Sequence, residues 1–123
     1  MNLPVLSLLV FLPVAGALAA VLLGRGDGTL QSPVPFAVRA SPTGLTVSDL
    51  DGDGTMDLAV ANSGDFTVSV LLGNGDGTFQ APVNYTSGNS RAIAAGDYNG
   101  DGKVDLAVAN FSGNAVGLLL GNG

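Results

Sequence analysis

The sequence predicts an all-β chain, and three observations carry the prediction. Short apolar runs of four to six residues alternate with turns rich in glycine, asparagine and aspartate. Within the repeated part of the chain no run has the spacing and length of a helix. The punctuation is also periodic: Asp57-Leu-Ala-Val-Ala-Asn62 returns unchanged as Asp105-Leu-Ala-Val-Ala-Asn110. A fixed period of this size marks a repeat architecture in which each unit is one supersecondary element.

The period can be followed from end to end. Val21-Leu-Leu-Gly-Arg-Gly-Asp-Gly-Thr-Leu30 matches Val70-Leu-Leu-Gly-Asn-Gly-Asp-Gly-Thr-Phe79 at an offset of 49, and Gln31-Ser-Pro-Val34 matches Gln80-Ala-Pro-Val83 at the same offset. Asp49 matches Asp97, and Leu72-Gly-Asn-Gly75 matches Leu120-Gly-Asn-Gly123, at an offset of 48. Within one unit the pattern predicts strands at about 44–48, 57–61, 66–72 and 78–85, and in the next at about 91–96, 105–109 and 115–120. Four antiparallel strands in about 48 residues is the composition of a β-propeller blade. The expected organisation is a partial blade at 20–40, a full blade at 41–88 and a partial blade at 89–123. On this reading the chain opens in a third-strand pattern and stops within a turn. That is too few blades for a closed propeller, which typically needs four to eight.

Residues 1–19 are expected to be a signal peptide or membrane anchor. Leu3 to Leu23 form an uncharged run interrupted by Pro4, Ser7, Pro13 and Gly16. As a secretory signal it would use Leu3–Val14 as the apolar core and be cleaved after Ala17-Leu-Ala19. As an anchor it is long enough to span a bilayer. A buried strand or helix is the third reading. The lack of Lys or Arg before the run argues against a signal, and the two prolines argue against a regular helix.

Two stretches carry the chemistry. Asp49-Leu-Asp51-Gly-Asp53-Gly-Thr55-Met-Asp57 and Asp97-Tyr-Asn99-Gly-Asp101-Gly-Lys103-Val-Asp105 each place oxygen-bearing side chains at positions 1, 3, 5 and 9 of a nine-residue loop. Carboxylates so close together repel one another. A hard divalent cation relieves that repulsion, and Ca²⁺ tolerates an irregular, many-oxygen geometry better than Mg²⁺. Helical calcium modules need an acidic ligand at position 12, where this chain has Val60 and Val108, and a helix after the loop, where it has a strand pattern.

Composition narrows the function. The net charge is −6 from four Lys and Arg against ten Asp, with no Glu. Seven of the ten Asp lie in the two loops, so the acidity belongs to sites and not to a general surface. Four scattered basic residues make no phosphate-binding stripe, which argues against a nucleic-acid partner. Histidine, cysteine, glutamate and tryptophan are absent, which removes most general acids and bases and the nucleophilic thiol. The expectation is a protein that is not itself an enzyme.

The paired loops, their Asp-Leu-Ala-Val-Ala-Asn flanks and the Val-Leu-Leu-Gly-Asn-Gly-Asp-Gly-Thr-Phe stretch resemble FG-GAP repeats of the VCBS type, which are related to the blades of integrin α-subunit propellers. The resemblance covers about residues 18–123. It implies calcium held by Asp49, Asp51, Asp53, the carbonyl of Thr55 and Asp57. In the second loop it implies Asp97, Asn99, Asp101, the carbonyl of Lys103 and Asp105. Asn99 removes one charge from the second site, which should bind more weakly.

The leading expectation is therefore a calcium-binding repeat module of an exported protein, extracellular or at the cell surface, that serves adhesion or recognition of a protein or glycan. Alternatives are an accessory domain of a larger secreted enzyme and a surface protein anchored through residues 3–23, the only route to a membrane. A head-to-tail ring of three or four chains, pairing residues 18–36 with 91–120, is a further expectation, ranked below further repeats outside this sequence.

Other features read as local structure. Gly-Asn-Gly-Asp-Gly77 is expected to be a hairpin turn, and Arg25-Gly-Asp27 a variant of the same turn. Asn84-Tyr-Thr86 and Asn110-Phe-Ser112 fit the glycosylation pattern. Phe36, Phe66, Phe79, Tyr85 and Phe111 are expected between blades.

Overall fold

The computed structural model describes the backbone of residues 6–10 and 18–23 and all of residues 27–123. Ten strands are present there, and they form three antiparallel sheets. The first sheet is β1 (Leu6–Val10), β2 (Leu18–Leu23) and β3 (Val34–Ala37). The second is β4 (Pro42–Ser48), β5 (Asp57–Asn62), β6 (Thr67–Leu71) and β7 (Val83–Thr86). The third is β8 (Ser90–Gly96), β9 (Asp105–Asn110) and β10 (Ala115–Leu119). Neighbours in sequence are neighbours in each sheet, the meander of a propeller blade.

The register reproduces the sequence repeat. Leu58, Ala59 and Val60 of β5 pair with Leu71, Val70 and Ser69 of β6. Leu8, Leu9 and Val10 of β1 pair with Leu22, Val21 and Ala20 of β2, forty-nine residues before the same partners. β1 is thus a second-strand element lying ahead of the third-strand pattern expected to open the chain. β1 and β2 both lie within the apolar run. Among the described residues no helix is long and apolar enough to cross a membrane.

One predicted strand is shorter than expected. Where 78–85 was expected, the sheet takes only Val83–Thr86, preceded by an isolated bridge between Gly73 and Phe79. Pro82 has no N–H to give to a ladder, so pairing starts at the residue after it.

β5 explains the packing between sheets. All six of its residues are buried, because alternate side chains leave a strand on opposite faces and both faces of this sheet are covered. Leu58, Val60 and Leu71 pack forward against Phe36 and Val38 of the first sheet and its following linker, together with Leu45 and Phe79. Ala59 and Val68 pack backward against Leu106, Val108, Ile93 and Leu119 of the third sheet. Burying one such Leu or Val contributes about 1.5–3 kcal/mol. The inner strands approach to backbone contact: a Cβ on Gly44 would stand 2.8 Å from the Arg91 carbonyl oxygen, so only glycine fits at that crossing.

Two of the five aromatics expected between blades are there. Phe36 and Phe79 meet edge to face at 5.0 Å between centroids. Phe66, Tyr85 and Phe111 are exposed instead. Phe66 sits at φ 57° in the turn after β5. Phe111 carries the Arg91 guanidinium 4.0 Å above its ring.

Candidate metal centre

Each acidic loop joins the first strand of a sheet to the second, Asp49–Asp57 between β4 and β5 and Asp97–Asp105 between β8 and β9. Gly52 and Gly54 take φ of 76° and 89°, and Gly100 and Gly102 take 77° and 83°. These left-handed values coil the loop tightly enough to turn successive N–H groups toward its first residue. Asp49 Oδ1 accepts from the N–H of Gly52 (2.8 Å) and Asp53 (3.1 Å), and Oδ2 from Gly54 (2.9 Å). Asp97 does the same with Gly100 (2.8 Å), Asp101 (3.2 Å) and Gly102 (2.8 Å).

The last aspartate of each loop is fully buried and ties the loop to the rest of its sheet. Asp57 Oδ2 accepts from Leu50 N (2.7 Å) and Oδ1 from Gly73 N (2.8 Å), beyond β6. Asp105 accepts likewise from Tyr98 N (2.9 Å) and Gly121 N (2.8 Å). The Gly121 N–H, followed by that of Tyr98, holds the Asp105 carboxyl below the usual carboxylate range. Gly73 and Gly121 are the functional residues the sequence reading missed. A Cβ on either would collide with the carbonyl oxygen of Met56 or Val104. The signal was the repeated Leu-Gly-Asn-Gly at 72–75 and 120–123, read only as a turn.

The carboxylates do not all converge. Oxygens of Asp49, Asp51 and Asp57 lie within 4.8 Å of one another. Asp53 stands outside that group, with its Oδ1 accepting from the Thr55 N–H (2.8 Å) and hydroxyl (2.6 Å). The Thr55 hydroxyl is the main reason its pKa is lowered. The same turn recurs at Asp27-Gly-Thr29 and Asp76-Gly-Thr78, outside the acidic loops. Asp53 therefore has a turn-forming role that three copies of Asp-Gly-Thr in the sequence could have disclosed.

Asp51 has a raised pKa. It lines a cleft of ≈ 330 Å³ between the second and third sheets, with Leu50, Val70 and Leu106. The loss of water there raises its pKa, and the charges of Asp53 and Asp57 push the same way. In the second loop the equivalent position is Asn99, whose amide donates to Asp101 Oδ2 (3.3 Å). Among the described residues no second group of three acidic side chains comes together. The residues at position 7 bind the following turn through their side chains. The Thr55 hydroxyl donates to the Gly73 carbonyl (3.2 Å), and Lys103 Nζ to the Asn122 carbonyl (2.6 Å).

The remaining motifs are structural. Asp27 serves its own turn, while Arg25 and Gly26 lie outside the described residues. The Asn84 amide oxygen accepts from the Ser69 hydroxyl (2.6 Å), and that of Asn110 from Ser90 (2.8 Å).

These features define a blade-repeat protein with an aspartate-rich loop between the first two strands of its second and third sheets. A family model described as FG-GAP-like repeat matches residues 14–60 and again 49–108, and the chain belongs to that family. The two matches overlap at the first acidic loop and the start of β5. The family is typically non-catalytic, can bind calcium, and occurs in extracellular or surface proteins. No curated protein matches this chain.

Proposed function

We propose that the chain is a calcium-stabilised, non-catalytic repeat module of an exported protein, used for adhesion or for recognition of a protein or glycan. The observation that carries this reading is the convergence of Asp49, Asp51 and Asp57 oxygens within 4.8 Å. An all-oxygen set of three carboxylates suits a hard divalent cation, and its mutual repulsion is the cost that such a cation removes. Asp49, Asp51 and Asp57 would hold the ion in the first loop, with Asp53 and the Thr55 carbonyl as the family pattern adds them. Asp97, Asn99, Asp101, the Lys103 carbonyl and Asp105 would hold a second. Bound calcium supplies charge neutralisation and fixes the connection between two strands.

A non-catalytic role fits the chain's chemistry. The buried carboxylates of Asp57 and Asp105 each accept two backbone N–H bonds, which favours a scaffold over a general acid or base. Export fits because extracellular calcium is high enough to fill weak sites.

Thermal melting with Ca²⁺ and with a chelator tests the metal. At a hundredfold excess over Kd the ion adds about 2.7 kcal/mol, which raises Tm by roughly 10 °C in a domain of this size. Identical melting in the two conditions sinks the reading.

A further inference from the structure

The second loop differs from the first at its third position, where Asn99 stands in place of Asp51. The residue that follows is glycine in both loops, Gly100 and Gly52. Asparagine before glycine is the pair that most easily loses its carboxamide, because no Cβ keeps the glycine nitrogen away from the side chain. The sequence has three such pairs, Asn74-Gly75, Asn99-Gly100 and Asn122-Gly123.

The structure singles out the middle pair. Asn99 is exposed, and a Cβ on Gly100 would meet nothing within 4 Å. Asn99 Oδ1 accepts from the Asp101 N–H (3.3 Å), closing a turn whose ring contains both the Asn99 carboxamide carbon and the Gly100 nitrogen. The two atoms that must join are thereby held in one small ring. The Gly100 N–H, whose proton must leave, donates to Asp97 Oδ1 at 2.8 Å. A carboxylate in that place draws the proton off the nitrogen and makes it the better nucleophile. Among the described residues Asn74 has neither arrangement. Its amide donates past the turn to the Thr78 hydroxyl (2.9 Å), and a Cβ on Gly75 would stand 3.3 Å from the Thr55 methyl, so the pair is crowded.

We propose that Asn99 is a site of self-deamidation, with Asp97 as the proton acceptor. The Gly100 nitrogen bonds to Asn99 Cγ and the Cγ–Nδ2 bond breaks. The amide leaves as ammonia, carrying the proton that Asp97 received from Gly100. The cyclic imide then takes up one water. Opening at Cγ leaves an aspartate at position 99, and opening at the backbone carbonyl leaves an isoaspartate. The aspartate has a place ready in the fold: Asp51 makes the same turn in the first loop, its Oδ1 accepting from Asp53 N at 3.1 Å. The modification gives the second loop the carboxylates of the first, and its consequence for calcium rests on the calcium reading of that loop.

Mass spectrometry of tryptic peptides tests it, on the full chain held folded and metal-free at mildly alkaline pH. Asn99 is the single asparagine of the peptide 92–103. It is expected to convert roughly tenfold faster than Asn74. In urea the two pairs, alike in sequence, should convert at similar rates. Asp97→Ser keeps an oxygen but not the charge, and should slow the folded reaction by roughly tenfold. Conversion of Asn99 no faster than that of Asn74 in the folded chain overturns the proposal, as does an excess that persists unchanged in urea. An undiminished rate in folded Asp97→Ser overturns the role of Asp97, and if that variant does not fold, the comparison with urea decides. The aspartate form, separated by ion exchange, should bind calcium as tightly as the Asn99→Asp variant. Conversion of the peptide with no gain of affinity in Asn99→Asp refutes the calcium reading and leaves the deamidation standing.

Discussion

The second and third sheets contain the same strand, Asp-Leu-Ala-Val-Ala-Asn, in two environments. In β5 all six residues are buried. In β9 the first two and the fourth are buried, while Ala109 is exposed. The loops that precede them differ in the same sense, with Asp49 and Asp51 half-buried but Asp97 and Asn99 exposed. Identical residues therefore have different energetic roles according to what lies behind the sheet. That is the behaviour of repeat proteins, whose stability is a sum of intrinsic and neighbour terms.

The largest effect that can break this comparison is a leucine truncation made in each sheet, one buried and one exposed. Leu58→Ala should cost about 2–5 kcal/mol, because Leu58 is fully enclosed. Leu118→Ala should cost under about 0.5 kcal/mol in the isolated chain. Urea unfolding measures both, and equal losses would show that the third sheet's rear face is covered in solution.

The loops give the next effect. Asn99→Asp should strengthen calcium binding at the second site by roughly tenfold, and Asp51→Asn should weaken the first by a similar factor. Isothermal titration calorimetry reads both, and no change from Asn99→Asp would show that exposure, and not charge, separates the loops. Acid sharpens the contrast further. Because the Asp51 carboxyl is raised above its ordinary 3.8, it takes up a proton while pH is still above that value. Calcium affinity at the first loop should fall over that range, and the fall should vanish in Asp51→Asn.

The smallest effect concerns the turn that Asp53 shares with Asp76. Asp76 is lowered below 3.8, chiefly by the Thr78 hydroxyl. Its contribution to stability is fully present above pH 3.8 and disappears as pH falls through the lower folded value. Thr78→Val should lower Tm by less than about 3 °C at neutral pH. The gap from the unaltered protein should close in acid, and a gap that persists there would remove Asp76 from the explanation.

Much of this was legible in the sequence because it is local. Strand periodicity, glycine-rich turns and the loop spacing are short-range patterns, and β4, β5, β6, β8, β9 and β10 fall within two residues of their expected positions. The site was legible in part. The spacing announced an acidic loop, yet only folding shows that Asp49, Asp51 and Asp57 converge while Asp53 serves a turn. The N–H groups of Gly73 and Gly121 could not be inferred from spacing, since they reach Asp57 and Asp105 from sixteen residues away.

By itself the sequence determined the repeat, most of its strands and the spacing of oxygen-bearing side chains in each loop, because backbone dihedrals and side-chain alternation are set within a few residues. Only the tertiary structure decided which copy of each repeated residue is buried. Val68 and Val116 are the same residue forty-eight positions apart, and one is 0% exposed while the other is 72% exposed. Burial depends on the sheet that packs behind a strand, and among the described residues the second sheet has a neighbour on both faces while the third has one.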